Sequence, residues 1–161
     1  MYDLSEISGS VATLLKGRGE TIAVAESSAG GLISASLLSI GGASNYFVAG
    51  GIIYTLAARR ALLPDPGDAL EGVRSASEPY ALWLARSVRQ HLGTTWGLAE
   101  TGASGPSGNR YGDSPGHSCI AVSGLTEKLR TIETEITDRQ ANMWKFSKEA
   151  LILLEETMNE Q

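Results

Sequence analysis

Hydroxyls, carboxylates and glycines gathered where a strand hands over to a helix or loop can seat an anion or a small ligand. Three separate stretches of this chain carry residues of those types. In Ala25-Glu26-Ser27-Ser28-Ala29-Gly30-Gly31-Leu32, a carboxylate, two hydroxyls and two glycines stand where an apolar run hands over to Leu32, Ile33, Leu37 and Leu38 at helical spacing. Between Gly41 and Arg60, Ser44 occupies a turn before a second apolar run, and Tyr54 and Arg59 follow that run. The third stretch, Thr101 to Asp113, is a glycine- and hydroxyl-rich loop whose charges are Arg110 and Asp113.

A strand that ends in hydroxyls and glycines and feeds a helix is a seat for an anion. The first helical N–H groups have no internal partner, the helix dipole adds partial positive charge, and glycine lets a ligand approach the backbone. Ser27, Ser28, Gly30 and Gly31 are therefore candidate substrate contacts. Their spacing matches neither G-x-G-x-x-G nor G-x-x-x-x-G-K-[ST]. The competing reading is steric: two glycines that let a strand and a helix pack closely. Thr101, Gly102 and Gly105 form a second candidate seat, because ligands of open α/β sheets lie at the carboxyl ends of strands. Its alternative is a surface excursion. Ser44 reads as a turn residue, Tyr54 as a core aromatic with its hydroxyl at the surface, and Arg59 as part of a solvated helix face.

The elements that must hold these residues follow from periodicity and punctuation. Leu4, Ile7, Val11, Leu14 and Leu15 share a helical face, capped by Asp3 or Ser5 and ended by Gly17 or Gly19. Strands are expected at 21–25, at 46–54 with Gly50-Gly51 inside, at 95–101, at 117–123 and at 129–136; helices at 29–39, 56–63, 77–91 and 140–158. Glycines inside a strand point to a bulge or a close backbone approach. Alternating strands and helices with two adjacent late strands predict an α/β fold: a single-domain layered sandwich, residues 1–161, with a mixed central β-sheet flanked by helices.

Composition narrows the partners. The 161 residues are 42% hydrophobic and 19% charged, with a formal net charge of −5, which argues against a nucleic-acid or membrane-surface partner. A single nucleotide remains compatible, its phosphate held by backbone N–H groups and one arginine. Cys119 is the only cysteine, and His91 and His117 are the only histidines, so no metal site and no cofactor are expected. No apolar run reaches the ~20 residues of a membrane span. The acidic start, M-Y-D-L-S-E-I, lacks a secretory signal, so a cytoplasmic location is expected.

The three stretches, in order, resemble the CinA C-terminal domain family, whose characterised members are nicotinamide mononucleotide deamidases. Ala25 to Leu32 is similar to that family's A-E-S-C-T-G-G-L. Gly42-Ala43-Ser44-Asn45-Tyr46-Phe47 through Gly50 to Tyr54 and Arg59 is similar to G-S-S-x-x-F…G-x-x-x-Y-S-N-x-x-K. Thr101 to Pro106 with Gly116-His117-Ser118 looks like T-G-I-A-G-P…G-T-V, and Thr137-Asp138-Arg139 resembles the G-D-R before the last helix. The resemblance implies metal-free hydrolysis of a pyridine carboxamide, with ammonia released, by a serine–lysine pair in a homo-oligomer, a dimer or larger. By matching, the serine falls at Ser44 and the lysine at Arg59. Ser27, Thr101 and Arg139 match positions implicated in substrate binding. Departures are Ser28 for cysteine, Ala29 for threonine, Ala43 for serine, Thr55-Leu56 for Ser-Asn and Ser104 for alanine.

The lysine-to-arginine departure bears on mechanism, since arginine stays protonated and cannot act as a base. Glu26, Tyr54, or His117 through water are the remaining bases. Three readings follow: an amidohydrolase of the nicotinamide mononucleotide type; a nucleotide-binding or sensing module, or a hydrolase of another amide; and an interaction protein without a small-molecule site. The first two require Ser27, Ser44 and Thr101 to face one cleft.

Overall fold

The computed structural model describes residues 3–161. Met1 and Tyr2, which open the acidic N-terminal stretch, lie outside the described residues. The first helix, α1 (Ser5–Arg18), starts where the Asp3 carboxylate accepts from the Ser5 amide at 2.8 Å, and ends at Gly19. The other elements are β1 (Ile22–Glu26), α2 (Leu32–Leu38), β2 (Phe47–Ile52), α3 (Leu56–Leu62), α4 (Glu78–Leu92), β3 (Trp96–Ala103), β4 (His117–Ser123), β5 (Glu127–Glu133) and α5 (Arg139–Asn159). Side chains cap three of the helices: Thr55 accepts from Ala58, Ser77 from Tyr80 and Asp138 from Ala141, which satisfies amides that helix geometry leaves open.

The five strands form one sheet in the order β2-β1-β3-β4-β5. β1, β2 and β3 run parallel, and β4 is antiparallel to both neighbours. β1 and β4 are buried along their whole length. Val11, Leu15, Ile22, Ile33, Leu37, Trp96, Phe146 and Leu154 are fully buried. On one face of the sheet α1, α2 and α5 close the larger core, and α4 closes the other with Ala81, Leu84 and Ala85 over Ala23, Ala99 and Ala121. The molecule is thus an α/β fold with a mixed sheet flanked by helices, as expected.

Three boundaries differ from expectation. The helix after the first glycine corner begins at Leu32, because residues 27–31 turn with Gly30 and Gly31 at φ of 68° and 99°. β2 stops at Ile52, so Tyr54 leaves the sheet and stands 59% exposed. The last strand is Glu127–Glu133, set by a tight hairpin in which Ser123 pairs with Glu127; beyond it the Thr134 amide turns to the Gly116 carbonyl.

β2 shows both signs of the expected irregularity. Its register against β1 shifts between Ile22 and Ala23, where Val48 is the additional residue. A Cβ on Gly50 would meet the Ser34 hydroxyl at 2.2 Å, so the glycine admits α2. The two sheet edges differ in kind. β5 carries Glu127, Lys128, Arg130 and Glu133 among its seven residues, whereas β2 reads Phe-Val-Ala-Gly-Gly-Ile without a charge or a proline.

Candidate functional site

The parallel strands β1, β2 and β3 end on the same side of the sheet, and a cleft opens there. Two buried carboxylates brace the turn that borders it. Glu26 accepts from the amides of Gly31, Ile33 and Ser34 at 3.1, 2.9 and 2.9 Å and from the Ser34 hydroxyl at 2.6 Å. Glu100 accepts from the amides of Ser27 and Ala29 at 3.2 and 2.7 Å, from the Ser118 hydroxyl at 2.9 Å, and from the Ser28 hydroxyl. Burial pushes the Glu100 carboxyl above its usual range, against these hydrogen bonds, which lower it. The start of α2 is therefore an anion seat, and the chain's own Glu26 fills it.

The 104–116 loop is tied down on the other side. Asp113 makes a forked pair with Arg74 at 2.6 and 3.0 Å and accepts from Asn109 Nδ2 at 2.8 Å, while Asn109 Oδ1 accepts from the amides of Tyr111 and Asp113. The Arg74 hydrogen bond, opposed by partial burial, holds the Asp113 carboxyl below the ordinary range. His117 is buried with Nε2 2.8 Å from the Ala76 carbonyl and Nδ1 on Glu133. Burial opposes its charge, but those two hydrogen bonds and the charges of Glu133 and Asp113 outweigh burial and raise its pKa. The Ala76 amide donates to the Thr101 hydroxyl at 3.2 Å, which joins this cluster to the cleft. Ala76 has a φ of 55°, a left-handed conformation uncommon for alanine.

The cleft has two lobes that share Tyr54, Gly102 and Asn109 as walls. The larger, about 400 Å³, is lined by Ser27, Thr101, Tyr80, Arg110 and Tyr111; that volume suits a small-molecule ligand. The smaller, about 250 Å³, is lined by Ser28, Ser104, Gly105, Ser107 and Arg139. Arg139 reaches it from the first position of α5, donating Nη1 to the Gly105 carbonyl at 2.6 Å and Nη2 to the Tyr54 hydroxyl at 3.1 Å. The Ser104 hydroxyl is buried in this region without a hydrogen-bond partner. Neither lobe is lined by a lysine, histidine or carboxylate.

Of the residues singled out from sequence, Ser27, Ser28, Tyr54, Thr101, Gly102, Gly105 and Arg139 meet in this cleft. Four do not. Gly30 and Gly31 line neither lobe: the Gly31 amide is bound by Glu26, the Gly30 amide donates to the Ser27 carbonyl, and a Cβ on Gly30 would meet Met143 at 2.7 Å. Their role is the steric one. Ser44 lies in the short 3-10 turn Ala43–Asn45 that precedes β2, at the amino end of the parallel strands. The six residues of β2 separate it from the cleft by about 20 Å, so Ser27, Ser44 and Thr101 share no cavity within the chain; the meeting of all three that the sequence reading required is not found, and Ser27 and Thr101 alone line the cleft. Arg59 packs over the rings of Tyr80 and Trp83 at 5.9 Å each and lines neither lobe. Two of the remaining candidate bases also lie outside the lobes, Glu26 under α2 and His117 behind Ala76.

Sequence reasoning missed Glu100, Asn109, Tyr80 and Ser104. An acid inside the apolar run Trp96 to Thr101 was the available signal for Glu100, since buried acids need paired donors. Among the described residues, no group of three or more His, Cys, Asp or Glu is placed to hold a metal ion. No helix there is long and apolar enough to cross a membrane.

Comparison with known proteins agrees with this architecture. The CinA C-terminal domain family matches residues 4–158, and the chain belongs to that family. A CinA-like protein of Acaryochloris marina is 37% identical over 134 residues, which is 83% of this chain and 32% of that protein. A putative competence-damage inducible protein of Desulforamulus reducens is 41% identical over 124 residues, 77% of this chain and 30% of that one. The chain thus spans about a third of the length of these relatives. Among solved structures, a CinA superfamily protein from Klebsiella pneumoniae superposes with a TM-score of 0.87 at 21% identity, covering 98% of each chain. A competence or damage-inducible protein from Enterobacter asburiae gives 0.87 at 24% identity, covering 96% of this chain and 97% of its own. At that identity the two structures speak for the fold alone.

Proposed function

We propose that the cleft binds a phosphorylated pyridine nucleoside and that its carboxamide is hydrolysed there, as in a nicotinamide mononucleotide deamidase. One observation carries the reading: a lobe walled by Tyr54, Tyr80 and Tyr111 adjoins a smaller lobe holding Arg139 and the orphaned Ser104 hydroxyl. The aromatic lobe suits a pyridine ring and its ribose. The smaller lobe suits a phosphate, which takes forked hydrogen bonds from arginine and one more from a hydroxyl. The reaction adds one water across the amide C–N bond, giving a carboxylate and ammonium. Incubation with nicotinamide mononucleotide is expected to release ammonia, and Arg139→Ala to raise the substrate concentration required.

A second reading, binding without hydrolysis, is favoured by the lack of a lysine, histidine or carboxylate on either lobe. Calorimetric titration separates the two. Binding without ammonia release selects the second reading, and no binding at millimolar nucleotide rejects both.

A further inference from the structure

With no lysine, histidine or carboxylate on either lobe, the proposed hydrolysis lacks the usual proton acceptors. What the larger lobe offers instead is three phenols, those of Tyr54, Tyr80 and Tyr111. They are held differently. The Tyr54 hydroxyl accepts from Arg139 at 3.1 Å, and Arg139 is the cation that a phosphate in the smaller lobe would claim. Tyr80 is buried with its ring against Arg59. Tyr111 is served by cations outside the smaller lobe. Arg110 donates Nη2 to its hydroxyl at 2.9 Å, and the guanidiniums of Arg110 and Arg74 lie 5.0 and 5.3 Å from the centre of its ring.

We infer that Tyr111 is the proton-transfer residue of the hydrolysis, with Arg110 holding its oxygen in the ionised form. The inference rests on the deamidase reading and adds to it the group that the reading lacks. The backbone here is fixed: the Tyr111 amide donates to Asn109 Oδ1 at 3.0 Å, within the tether that Arg74 and Asp113 anchor.

The electrostatics of the lobe favour an anion at this place. Of the described residues that line it, Arg110 alone carries a charge. The pyridine ring of nicotinamide mononucleotide is itself cationic, because its nitrogen is bonded to the ribose. A second cation brought into a lobe that already holds one calls for an anion beside both, and an ionised phenol supplies it. The Arg110 hydrogen bond is also the largest influence lowering the Tyr111 pKa from 10.0, with Ser75 adding to it and partial burial opposing it. Arg74 is already paired with Asp113, and His117 Nε2 lies 3.7 Å from the same carboxylate, so the hold on the phenol oxygen falls to Arg110.

The step balances with one water. The phenolate takes a proton from water as the water oxygen bonds to the carboxamide carbon. The phenol then passes that proton to the nitrogen as the C–N bond breaks. Ammonia leaves, the phenolate is restored, and the carboxylic acid that remains ionises in water.

Ultraviolet titration tests the phenol without substrate. The difference between wild type and Tyr111→Phe is expected to show one phenol with a midpoint below pH 10.0. Arg110→Gln is expected to raise that midpoint by about 1 pH unit, the scale of one charge-assisted hydrogen bond.

Kinetics with nicotinamide mononucleotide then tests the role. Wild-type kcat is expected to rise with pH up to the phenol's midpoint, because only the ionised form accepts the proton. In Tyr111→Phe, kcat is expected to fall about 10²–10⁴-fold with KM changed less than about three-fold, and the rising limb is lost. In Arg110→Gln the limb is expected to move upward together with the midpoint, which a merely structural role would not produce. A Tyr111→Phe protein with kcat within about five-fold of wild type overturns the inference and leaves the deamidase reading standing. So does a wild-type midpoint at or above 10.0. A wild type that releases no ammonia refutes the deamidase reading itself, and the role of Tyr111 falls with it.

Discussion

At the corner between β1 and α2 the backbone turns inward, and five amides, those of Ser27, Ala29, Gly31, Ile33 and Ser34, are bound by the carboxylates of Glu26 and Glu100. At the corner after β3 the chain turns outward, and Gly102, Gly105, Asn109 and Arg110 line open space. Both stretches are rich in glycine and hydroxyls. What separates them is whether their polar groups find partners within the chain. A satisfied corner is scaffold, and a corner with polar groups left over, such as the Ser104 hydroxyl, is where a ligand adds hydrogen bonds. Ser27 and Ser28 belong to both, with backbone or hydroxyl committed to Glu100 beneath and one side on the cleft.

The comparison is broken most severely at Glu100. Glu100→Leu removes the acceptor of the Ser27 and Ala29 amides and of the Ser28 and Ser118 hydroxyls, the last three of them buried, which is expected to cost about 3–5 kcal/mol in urea unfolding. A loss below about 1 kcal/mol would show that this corner is not scaffold. Arg139→Ala probes the outward corner: mononucleotide affinity by calorimetry is expected to fall ten- to a hundred-fold, with the unfolding midpoint nearly unchanged.

The tether of the outward loop should depend on pH in both directions. Asp113, with its pKa below 3.8, contributes stability that is present above that value and is lost as acid titrates the folded carboxylate. His117, with its pKa above 6.5, contributes stability that is complete below 6.5 and fades as pH rises through the folded value. Amide exchange in residues 104–116 is therefore expected to be slowest between those limits, once corrected for intrinsic rates, and Arg74→Ala is expected to quicken it. The smallest effect is assigned to Arg59→Lys. Because Arg59 packs outside both lobes, this change is expected to alter mononucleotide affinity less than two-fold; a larger change would bring Arg59 into the site.

The layered architecture was legible because the apolar periods of α1, α4 and α5 and the turn residues between them are local signals. Helix caps at Ser77 and Asp138 lie within one turn of the amides they serve, so sequence alone places them or comes close. The destination of an unpaired amide is not local. The inward-bound amides run from one carboxylate on β1 and another, 71 residues on from Ala29, on β3, and neither spacing nor composition records that pairing. Ser44 shows the same limit at larger scale. Its motif is local and readable, but which end of the parallel strands it occupies follows only from strand direction and order. Arg59 falls where the resemblance places a lysine, yet its surroundings are set by Tyr80 and Trp83 on α4.

The charges along β5 make the two margins of the sheet unlike. Arg130 pairs with Glu149 and Glu156, Lys128 with Glu160, and Glu127 with Arg86, so that margin is fenced by ionic side chains anchored to helices. A strand laid against β5 would have to displace these pairs, whereas one laid against the uncharged β2 would displace only water.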